Sequence, residues 1–225
     1  MYGFKIRIKG DYALFSRPEM KVERVSYDLP TPGALVGLIS AIYWHPGVRY
    51  VIDKIYVYRP VNFVNIRRNE LKEKISLRSV QAEMKGNGSA AVCSADPQMR
   101  TQRASMLLKD VEYGVEFHFV LTEKAEAGMT DEKCYNILLR RLRKGQYHHK
   151  PCLGCREFPA EVTLEESLPE SPLRGEVDLG FMLYDLVYRT DAAGRATDSA
   201  EPRFYRPRMV DGVVNVAAYA KELVC

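Results

Sequence analysis

Lys133 and Cys134 stand side by side in the first turn of a predicted helix that begins after Thr130 and ends at Gly145. Thr130 can cap the free backbone amides, and glycine is a typical helix stop. Free amides at a helix N-terminus bind anions, so a lysine beside them makes a seat for a phosphate group. The same position is expected to lower the pKa of the Cys134 thiol. These residues indicate phosphate chemistry, although a surface helix with a solvated basic face gives the same pattern.

The far end of this helix carries most of its positive charge. Ile137, Leu138 and Leu142 recur at helical spacing, which leaves the basic side chains on the solvated face. Two histidines and another arginine follow soon after the predicted stop. We take these side chains as candidates to hold phosphate groups: Arg140, Arg141, Arg143, Lys144, His148, His149 and Arg156.

A pair of cysteines, Cys152 and Cys155, follows His148 and His149 at a spacing that resembles metal ligands. A structural zinc site normally adds a second, distant pair of ligands, which this pattern lacks. The chain also has no glycine-rich phosphate loop, no nucleophile elbow and no acidic metal cluster. We therefore expect no metal and no other cofactor, and the sequence leaves open whether the two cysteines do more than pack.

The composition is that of a globular protein with a mild positive charge: 225 residues, 46% of them hydrophobic, and a formal net charge of +4. A charge of this size permits a polyanionic partner without requiring one. No run reaches the roughly 18 apolar residues of a membrane helix, and the N-terminus lacks the apolar stretch of a signal peptide. We expect a cytoplasmic protein without membrane contact, in which the five cysteines are free thiols.

Strands are predicted on both sides of the candidate residues. Residues 3–9 and 111–121 alternate apolar and polar, as half-buried strands do, and His118 falls on the wetter face of the second. Residues 50–66 form one long strand-like run, in which Pro60 indicates a bulge or an edge position. A further short strand is expected within PAEVTLE, residues 159–165.

A helix that is apolar nearly all round begins at Thr31 and Pro32. Tyr43 and Trp44 lie at its C-terminal end, where we expect both rings to plug the core rather than line a cleft. With the helix described above, residues 3–164 have the order strand, helix, strand, strand, helix, strand. That is the ferredoxin-like order, which is also the topology of the RRM modules that bind RNA on their sheet.

Residues 67–109 lose the periodic pattern and contain nine basic residues. A loop of this length is usually either functional or disordered. We predict a long basic insertion, and two interpretations stay open: a flexible arm that folds over nucleic acid, or an ordinary solvated insertion.

The sequence pattern changes after residue 165, which indicates a domain boundary. Residues 178–188 are predicted to form a strand, and Asp211-Gly212 between two apolar runs is a strong signal for a two-residue hairpin turn. The predicted fold class is therefore α+β. A ferredoxin-like (RRM-like) domain occupies residues 1–164, and a small antiparallel β-sheet domain occupies residues 165–225.

A basic, RRM-like chain with a tyrosine, a lysine and several histidines suits the metal-free cleavage of RNA. In that reaction the ribose 2′-hydroxyl attacks the adjacent phosphate. The enzyme must remove the proton of that hydroxyl, stabilise the phosphorane and protonate the departing 5′-oxygen. Tyrosine, lysine and histidine side chains are suited to these roles.

Three stretches resemble the type I-C (Dvulg-subtype) CRISPR-associated endoribonucleases, Cas family five, subtype d: GDYALFSRPEMKVERVSYDLPTPGALVGLISAIYWHP, VIDKIYVYRPV and EKCYNILLRRLRKGQYHHKPCLGCREF. The resemblance covers most of residues 3–164 and, weakly, the rest. It implies an RRM-like N-terminal domain, a C-terminal β domain, and an enzyme that cuts CRISPR precursor RNA at the base of the repeat hairpin without metal. Such an enzyme then stays on the 5′ handle of the mature guide RNA, beside the large and backbone subunits of the interference complex.

The resemblance also implies a catalytic set. Tyr43 matches the tyrosine of the family's IYW motif, and Lys133 matches the lysine that opens the second helix. The family's next residue is histidine, where this chain has Cys134, and a thiol is a poorer acid-base group than imidazole for this task. Four alternatives stay open. Cys134 performs the role of the missing histidine, another histidine performs it, Lys133 and Tyr43 suffice for cleavage without it, or cleavage is weak or lost. The other histidines in question are His118, His148 and His149.

Several hypotheses follow for the function. The first is an endoribonuclease selective for CRISPR precursor RNA, in which Lys133 stabilises the phosphate charge and Tyr43 positions or transfers a proton. The second is a non-catalytic subunit that caps the 5′ handle of the guide. The third is a general binder of duplex nucleic acid, for which duplex DNA would also be a partner and affinity would fall steeply with salt. A β-α protein of unrelated function is the fourth.

Overall fold

The computed structural model describes residues 2–20, 22–190 and 196–224. Its sheets are mostly antiparallel and its helices few, which confirms the predicted α+β class. The strands are β1 (Gly3–Ala13), β2 (Arg24–Val25), β3 (Val48–Val57), β4 (Phe63–Leu71), β5 (Arg100–Leu121), β6 (Glu161–Glu165), β7 (Glu176–Asp178), β8 (Met182–Thr190), β9 (Ala196–Tyr205), β10 (Arg208–Val210) and β11 (Val213–Asn215). The helices are α1 (Pro32–Ile42), α2 (Leu77–Met84), α3 (Asp131–Lys144) and a 3₁₀ turn, Val216–Tyr219.

The two predicted helices form where their capping residues indicate. The Thr31 side chain accepts a hydrogen bond from the Ala34 amide at the start of α1 (3.2 Å). Thr130 does the same for the Lys133 amide at the start of α3 (3.2 Å). Gly145 then ends α3 in the left-handed conformation (φ 60°), which glycine adopts without strain. The predicted start of both helices and the predicted end of α3 are confirmed, whereas α1 ends at Ile42, two residues before the predicted end at Trp44.

The main sheet has the strand order β6-β1-β5-β3-β11-β10-β7. Side chains on one face of its central strands form the core, and Ile6 and Ile8 of β1 and Val115 of β5 are completely buried. Most of the alternate residues of the same strands are polar and at least partly exposed, such as Lys5 and Arg7 of β1, although Glu112 of β5 is buried. This face difference follows from the period of two in a strand, and it separates residues that are adjacent in sequence onto opposite sides of the sheet.

Residues 67–109 are more regular than a loop. β4 and the first half of β5 pair from Phe63↔Leu108 to Leu71↔Arg100, and α2 lies at the tip between them. β5 then continues, with Asp110 at positive φ (54°), to pair with β1 and β3. The expectation of a single strand at 50–66 is also wrong. β3 and β4 are separate strands, because Pro60, which has no amide hydrogen to donate, falls between them.

The chain after residue 165 is largely antiparallel β-structure. The predicted strand at 178–188 is divided, because Gly180 turns the backbone (φ 66°) between β7 and β8. The predicted hairpin turn is confirmed: Asp211 and Gly212 both have positive φ between β10 and β11. β8 and β9 form a separate two-stranded sheet, while β11 pairs with β3. In the part of the chain that is described, no helix combines the length and the apolar character needed to cross a bilayer.

Candidate RNA-cleavage site

Tyr43 is held at the point where α1 ends. Its backbone leaves the helix in an extended conformation, and its own amide still bonds to the Ile39 carbonyl (3.1 Å). The Tyr50 hydroxyl donates to the Tyr43 carbonyl (2.6 Å). The Arg141 guanidinium of α3 donates to the Ile42 carbonyl and lies 5.3 Å from the centre of the Tyr43 ring. The phenol is therefore fixed between two helices, with 7% of the residue exposed.

Cys134 lies in the first turn of α3, and its thiol lies beside the Tyr43 phenol, close enough for each group to affect the pKa of the other. The residue is 1% exposed. Burial raises the pKa of the Cys134 thiol, and the charge of Asp131 adds to this, whereas Tyr43 and Lys133 oppose it. The expectation of an acidified thiol is wrong, because loss of water around the buried sulfur outweighs the helix terminus and the neighbouring lysine.

The phenol of Tyr43 also stays protonated near neutral pH. Burial raises its pKa, as does the contact with Cys134, and the Arg141 guanidinium only partly opposes these effects. A neutral phenol donates a hydrogen bond well and removes a proton poorly. The pair can therefore donate to a phosphate oxygen or a leaving group, but it is not poised to act as a base.

Lys133 precedes Cys134 in the same helical turn, and its side chain is exposed to solvent. Its backbone amide is occupied by the Thr130 cap, so only the ammonium group is available to a ligand. The structure thus places the three predicted catalytic residues at one location, since Lys133 adjoins Cys134 and Cys134 contacts Tyr43. A phosphate there would meet a cation and a hydrogen-bond donor.

The basic residues of α3 differ in what they can do. Arg140, Arg143 and Lys144 are exposed and remain available to bind phosphates. Arg141 is half-buried and is already bonded to the end of α1. It therefore positions Tyr43 through the protein, in addition to any contact with a ligand.

The candidate histidines fall into two groups. The amides of His148 and His149 both donate to the Ala41 carbonyl (2.9 and 3.0 Å), so their exposed rings lie beside the end of α1 that carries Tyr43. Their ring centres are 4.3 Å apart. His118 instead lies on the polar face of β5, where its Nδ1 is 2.9 Å from Asp53. The sheet separates His118 from Tyr43, so it does not take the place of Cys134.

Arg156 lies away from this cluster. It is exposed on the loop between α3 and β6, close to Cys152 and next to Glu157, whose carboxylate pairs with Arg68 of β4. Among the described residues, the cation–π partner of the Tyr43 ring is Arg141, while Arg156 acts on Cys152.

The cysteines of this loop do not form a metal cluster in the described residues. No group of three or more His, Cys, Asp or Glu side chains in those residues could hold a metal ion. Burial raises the pKa of both Cys152 and Cys155. These two, Cys93 and Cys134 are free thiols, as expected; Cys225 lies outside the described residues.

Trp44 was expected in the core, and that expectation is wrong. The residue is 64% exposed, although Tyr43 next to it is buried. The extended backbone at Tyr43 turns successive side chains to opposite sides, and this change of conformation is not visible in a run of apolar residues. The His-Pro-Gly sequence that follows was the available signal that the helix had already ended.

Comparisons with known proteins agree with one another along nearly the whole chain. The family model described as "CRISPR-associated protein (Cas_Cas5)" matches residues 3–217. The chain is 42% identical over 226 residues to the "CRISPR pre-crRNA endoribonuclease Cas5d" of Mannheimia succiniciproducens, covering 98% of this chain and 97% of that one. It is 37% identical over 230 residues to the protein of the same name from Thermus thermophilus, covering 97% and 93%.

Solved structures have the same fold. One is described as a CRISPR-associated protein, with a TM-score of 0.66 at 25% identity over 95% of this chain and 91% of that chain. Another, from Streptococcus mutans, is described as functionally uncharacterized, with a TM-score of 0.65 at 26% identity over the same shares, 95% and 91%. Each of these likenesses extends over nearly the whole of this chain.

Proposed function

Because this chain belongs to the Cas5d family of CRISPR-associated proteins, we propose that it is an endoribonuclease that cleaves CRISPR precursor RNA. The observation that carries the proposal is the contact of Tyr43 with Cys134 beside the exposed Lys133, in a chain whose curated relatives are named as pre-crRNA endoribonucleases. We place the cut at the base of the repeat hairpin. The 2′-hydroxyl gives its proton to a hydroxide ion of the solvent, and its oxygen attacks phosphorus. The bond to the 5′-oxygen then breaks, that oxygen takes up a proton, and a 2′,3′-cyclic phosphate and a 5′-hydroxyl result.

The three residues have different roles in this proposal. The Lys133 ammonium stabilises the charge that develops on the phosphorane, as preorganised cations do in other phosphoryl transfers. The neutral Tyr43 phenol donates a hydrogen bond to a phosphate oxygen or to the departing 5′-oxygen. Cys134 contacts the phenol and is almost wholly buried, so it acts as a positioning residue rather than touching RNA. In this proposal the chain supplies the cation and the hydrogen-bond donor, the solvent accepts the proton, and no metal is required.

The substrate is held by the basic end of α3 and the segment after it. The exposed Arg140, Arg143 and Lys144 bind phosphates on one side of Tyr43. His148 and His149, anchored to the end of α1, lie closer to the cut, and Arg141 combines a structural role with phosphate binding. Arg156 binds a more distant part of the RNA.

We infer that residues 1–164 form a ferredoxin-like domain. The spatial order β6-β1-β5-β3 corresponds to the fourth, first, third and second strands of that fold, and α1 and α3 are its two crossing helices. In this scheme β4, α2 and the first half of β5 are an arm inserted at about 67–109. Residues 165–225 are a small antiparallel β domain whose strand β11 joins the edge at β3.

After cleavage we propose that the protein stays on the 5′ handle of the guide RNA, in contact with the large and backbone subunits of the interference complex. One feature favours a second candidate function, a guide-holding subunit that does not cut. Cys134 stands where the resembled family has histidine, and its thiol is buried and protonated. Duplex DNA is a further candidate partner in either case.

The test uses the repeat hairpin RNA in the presence of a chelator. Wild-type protein is expected to yield a product that ends in a 2′,3′-cyclic phosphate. Lys133→Ala should lower the single-turnover rate by about 100-fold or more while the dissociation constant changes little. The control is Lys124→Ala, an exposed lysine in the loop before α3, which should cleave normally.

Two results would change the conclusion. Normal cleavage by the Lys133→Ala variant would remove the lysine from the mechanism. Tight binding by the wild type with the RNA left intact would select the guide-holding subunit instead.

A further inference from the structure

Trp44 is an exposed aromatic ring beside a buried catalytic candidate. It is the single tryptophan of the chain and is 64% exposed, whereas Tyr43 is 7% exposed. Tryptophan is usually well buried in folded proteins because its ring contributes a large apolar area. Isolated exposed apolar residues are common, so the significance of Trp44 depends on how it is held and on what surrounds it.

The backbone around Trp44 is fixed on both sides. Before it, the Tyr43 carbonyl accepts a hydrogen bond from Tyr50 (2.6 Å). After it, the His45 carbonyl accepts from the Val48 amide (3.0 Å), and His45 Nδ1 accepts from the Gly47 amide (3.1 Å). The exposed ring therefore stands on an ordered base, and a ligand that binds it does not first have to order the backbone.

The segment that carries Trp44 runs along α3 toward its first turn. Ile42 is bonded to Arg141 near the end of α3, and Tyr43 contacts Cys134 near its start. Gly47 then packs against Ala125 in the loop before α3. Trp44 lies between these contacts along the chain, so its backbone passes the first turn of α3 while its exposed ring points to the side opposite the Tyr43 ring.

We propose that Trp44 is a stacking platform for an unpaired nucleobase of the RNA, next to the phosphate that is cut. This inference rests on the proposed function. The exposed indole directly follows Tyr43 in the chain, so an RNA whose phosphate is bound at Tyr43 passes this ring with a neighbouring nucleobase. Stacking on an aromatic ring is the usual way in which proteins bind unpaired bases. The exposed basic residues of α3 hold the backbone, while the ring selects an RNA that presents an unstacked base at this point.

The single tryptophan makes the proposal directly measurable. The protein is titrated with repeat RNA that has a 2′-deoxy nucleotide at the cut, so that binding is observed without cleavage. Trp44 fluorescence should be quenched in step with binding measured independently by anisotropy. A series of RNAs with one abasic nucleotide each should contain one position, beside the cut, at which quenching is lost and affinity falls about 5- to 100-fold.

Variants separate stacking from a structural role. In Trp44→Ala, the abasic substitution that weakens wild-type binding should have no further effect, whereas Trp44→Phe should keep much of the affinity. Phe181→Ala, which removes an exposed ring of the C-terminal part (58% exposed), should behave as wild type.

The outcomes distinguish this inference from the function on which it rests. Unchanged fluorescence at saturating RNA would overturn the stacking role, as would an equal loss for every abasic RNA in both the wild type and Trp44→Ala. A fluorescence response to other subunits of the complex but not to RNA would also overturn it. Failure of the wild type to cleave the unmodified RNA would overturn the proposed enzyme activity while leaving a positive stacking result valid.

Discussion

The sulfur of Cys134 and the oxygen of Tyr43 form a protonated pair under physiological conditions. Burial raises the pKa of the thiol above its ordinary value near 9 and that of the phenol above its ordinary value near 10. Groups whose pKa values are raised in this way lose their protons only at higher pH. The pair is therefore fully protonated through the neutral range, and the base that removes the 2′-hydroxyl proton is not one of these two groups.

This protonation state predicts the pH dependence of cleavage. Between about pH 5.5 and 8 the logarithm of the single-turnover rate should rise steadily, without the inflection near 6.5 that an imidazole base produces. Cys134→His should introduce such an inflection, because a neutral imidazole is lost as the pH falls through its pKa. Rates at saturating protein, measured across this range, provide the check.

A matched variant shows whether the thiol itself matters. Cys134→Ala removes the thiol that lies beside the Tyr43 phenol and should slow cleavage about fivefold, an effect of the size of one ordinary hydrogen bond. An inflection near 6.5 in the wild type would contradict the expectation that no imidazole removes the proton, and loss of that inflection in His148→Ala or His149→Ala would then identify the base. Thermal melting of each variant shows that the buried site still folds.

At the scale of elements, the loop between α3 and β6 shows how closely the chain must approach itself near the site. Gly154 has a φ of +88°, and a Cβ added there would lie 1.9 Å from the Leu14 carbonyl oxygen. The Leu14 amide donates to the neighbouring Leu153 carbonyl (3.0 Å). The glycine therefore lets this loop pair with the chain just after β1, which fixes the segment that leads from His149 to β6.

Gly154→Ala is expected to destabilise the protein by about 2–4 kcal/mol, because a side chain at positive φ is strained and the backbone of Leu14 must move. Gly37→Ala is the control: it lies on an exposed helical position of α1 where an added Cβ meets nothing within 4 Å. That variant should be more stable than wild type by about 0.5–1 kcal/mol. Urea denaturation measures both, and equal effects at the two positions would refute the steric argument.

Elements with local signals could be predicted from the sequence, and elements that depend on distant pairing could not. Thr130 and Gly145 cap α3 by contacts within the same segment, so its limits were predictable. The pairing of β4 with β5 joins residues on either side of α2, such as Leu71 and Arg100, and many of its side chains are exposed. No periodic apolar pattern marks such an arm.

In the candidate site, too, some features have a local signal in the sequence and others depend on contacts between distant segments. Lys133 and Cys134 could be recognised from their place in a helix and from a family resemblance. The burial that raises the pKa of Cys134 depends on residues of other segments, among them Tyr43 at the end of α1. The sequence of α3 alone gives no signal of that packing. The exposure of Trp44 likewise depends on where α1 ends rather than on its composition.

At the scale of the whole molecule, the two faces of the main sheet have different neighbours. The helices and Tyr43 are on one face, as the contact of Tyr50 with Phe117 indicates (ring centres 6.0 Å apart). The other face is crossed by the segment after β6: Ser171 donates to the Val57 carbonyl (2.6 Å), and the Tyr58 hydroxyl donates to the Pro169 carbonyl (3.2 Å). The same segment reaches Gly114 of β5, where an added Cβ would lie 3.1 Å from Leu168. In the proposed RRM-like domain this is the face of the sheet on which an RRM binds RNA.

RNA is therefore expected to bind along α3 rather than across the open face of the sheet. Arg140→Ala, on the exposed side of α3, should weaken binding about fivefold at 0.15 M salt and reduce the slope of log affinity against log salt by about one. Lys5→Ala, which removes a partly exposed lysine from the polar face of β1, should change neither quantity. Filter binding of uncleavable repeat RNA at several salt concentrations gives both slopes. If the two variants lose affinity equally, the RNA also contacts the strand face, and the segment from Pro169 to Ser171 must then move aside when it binds.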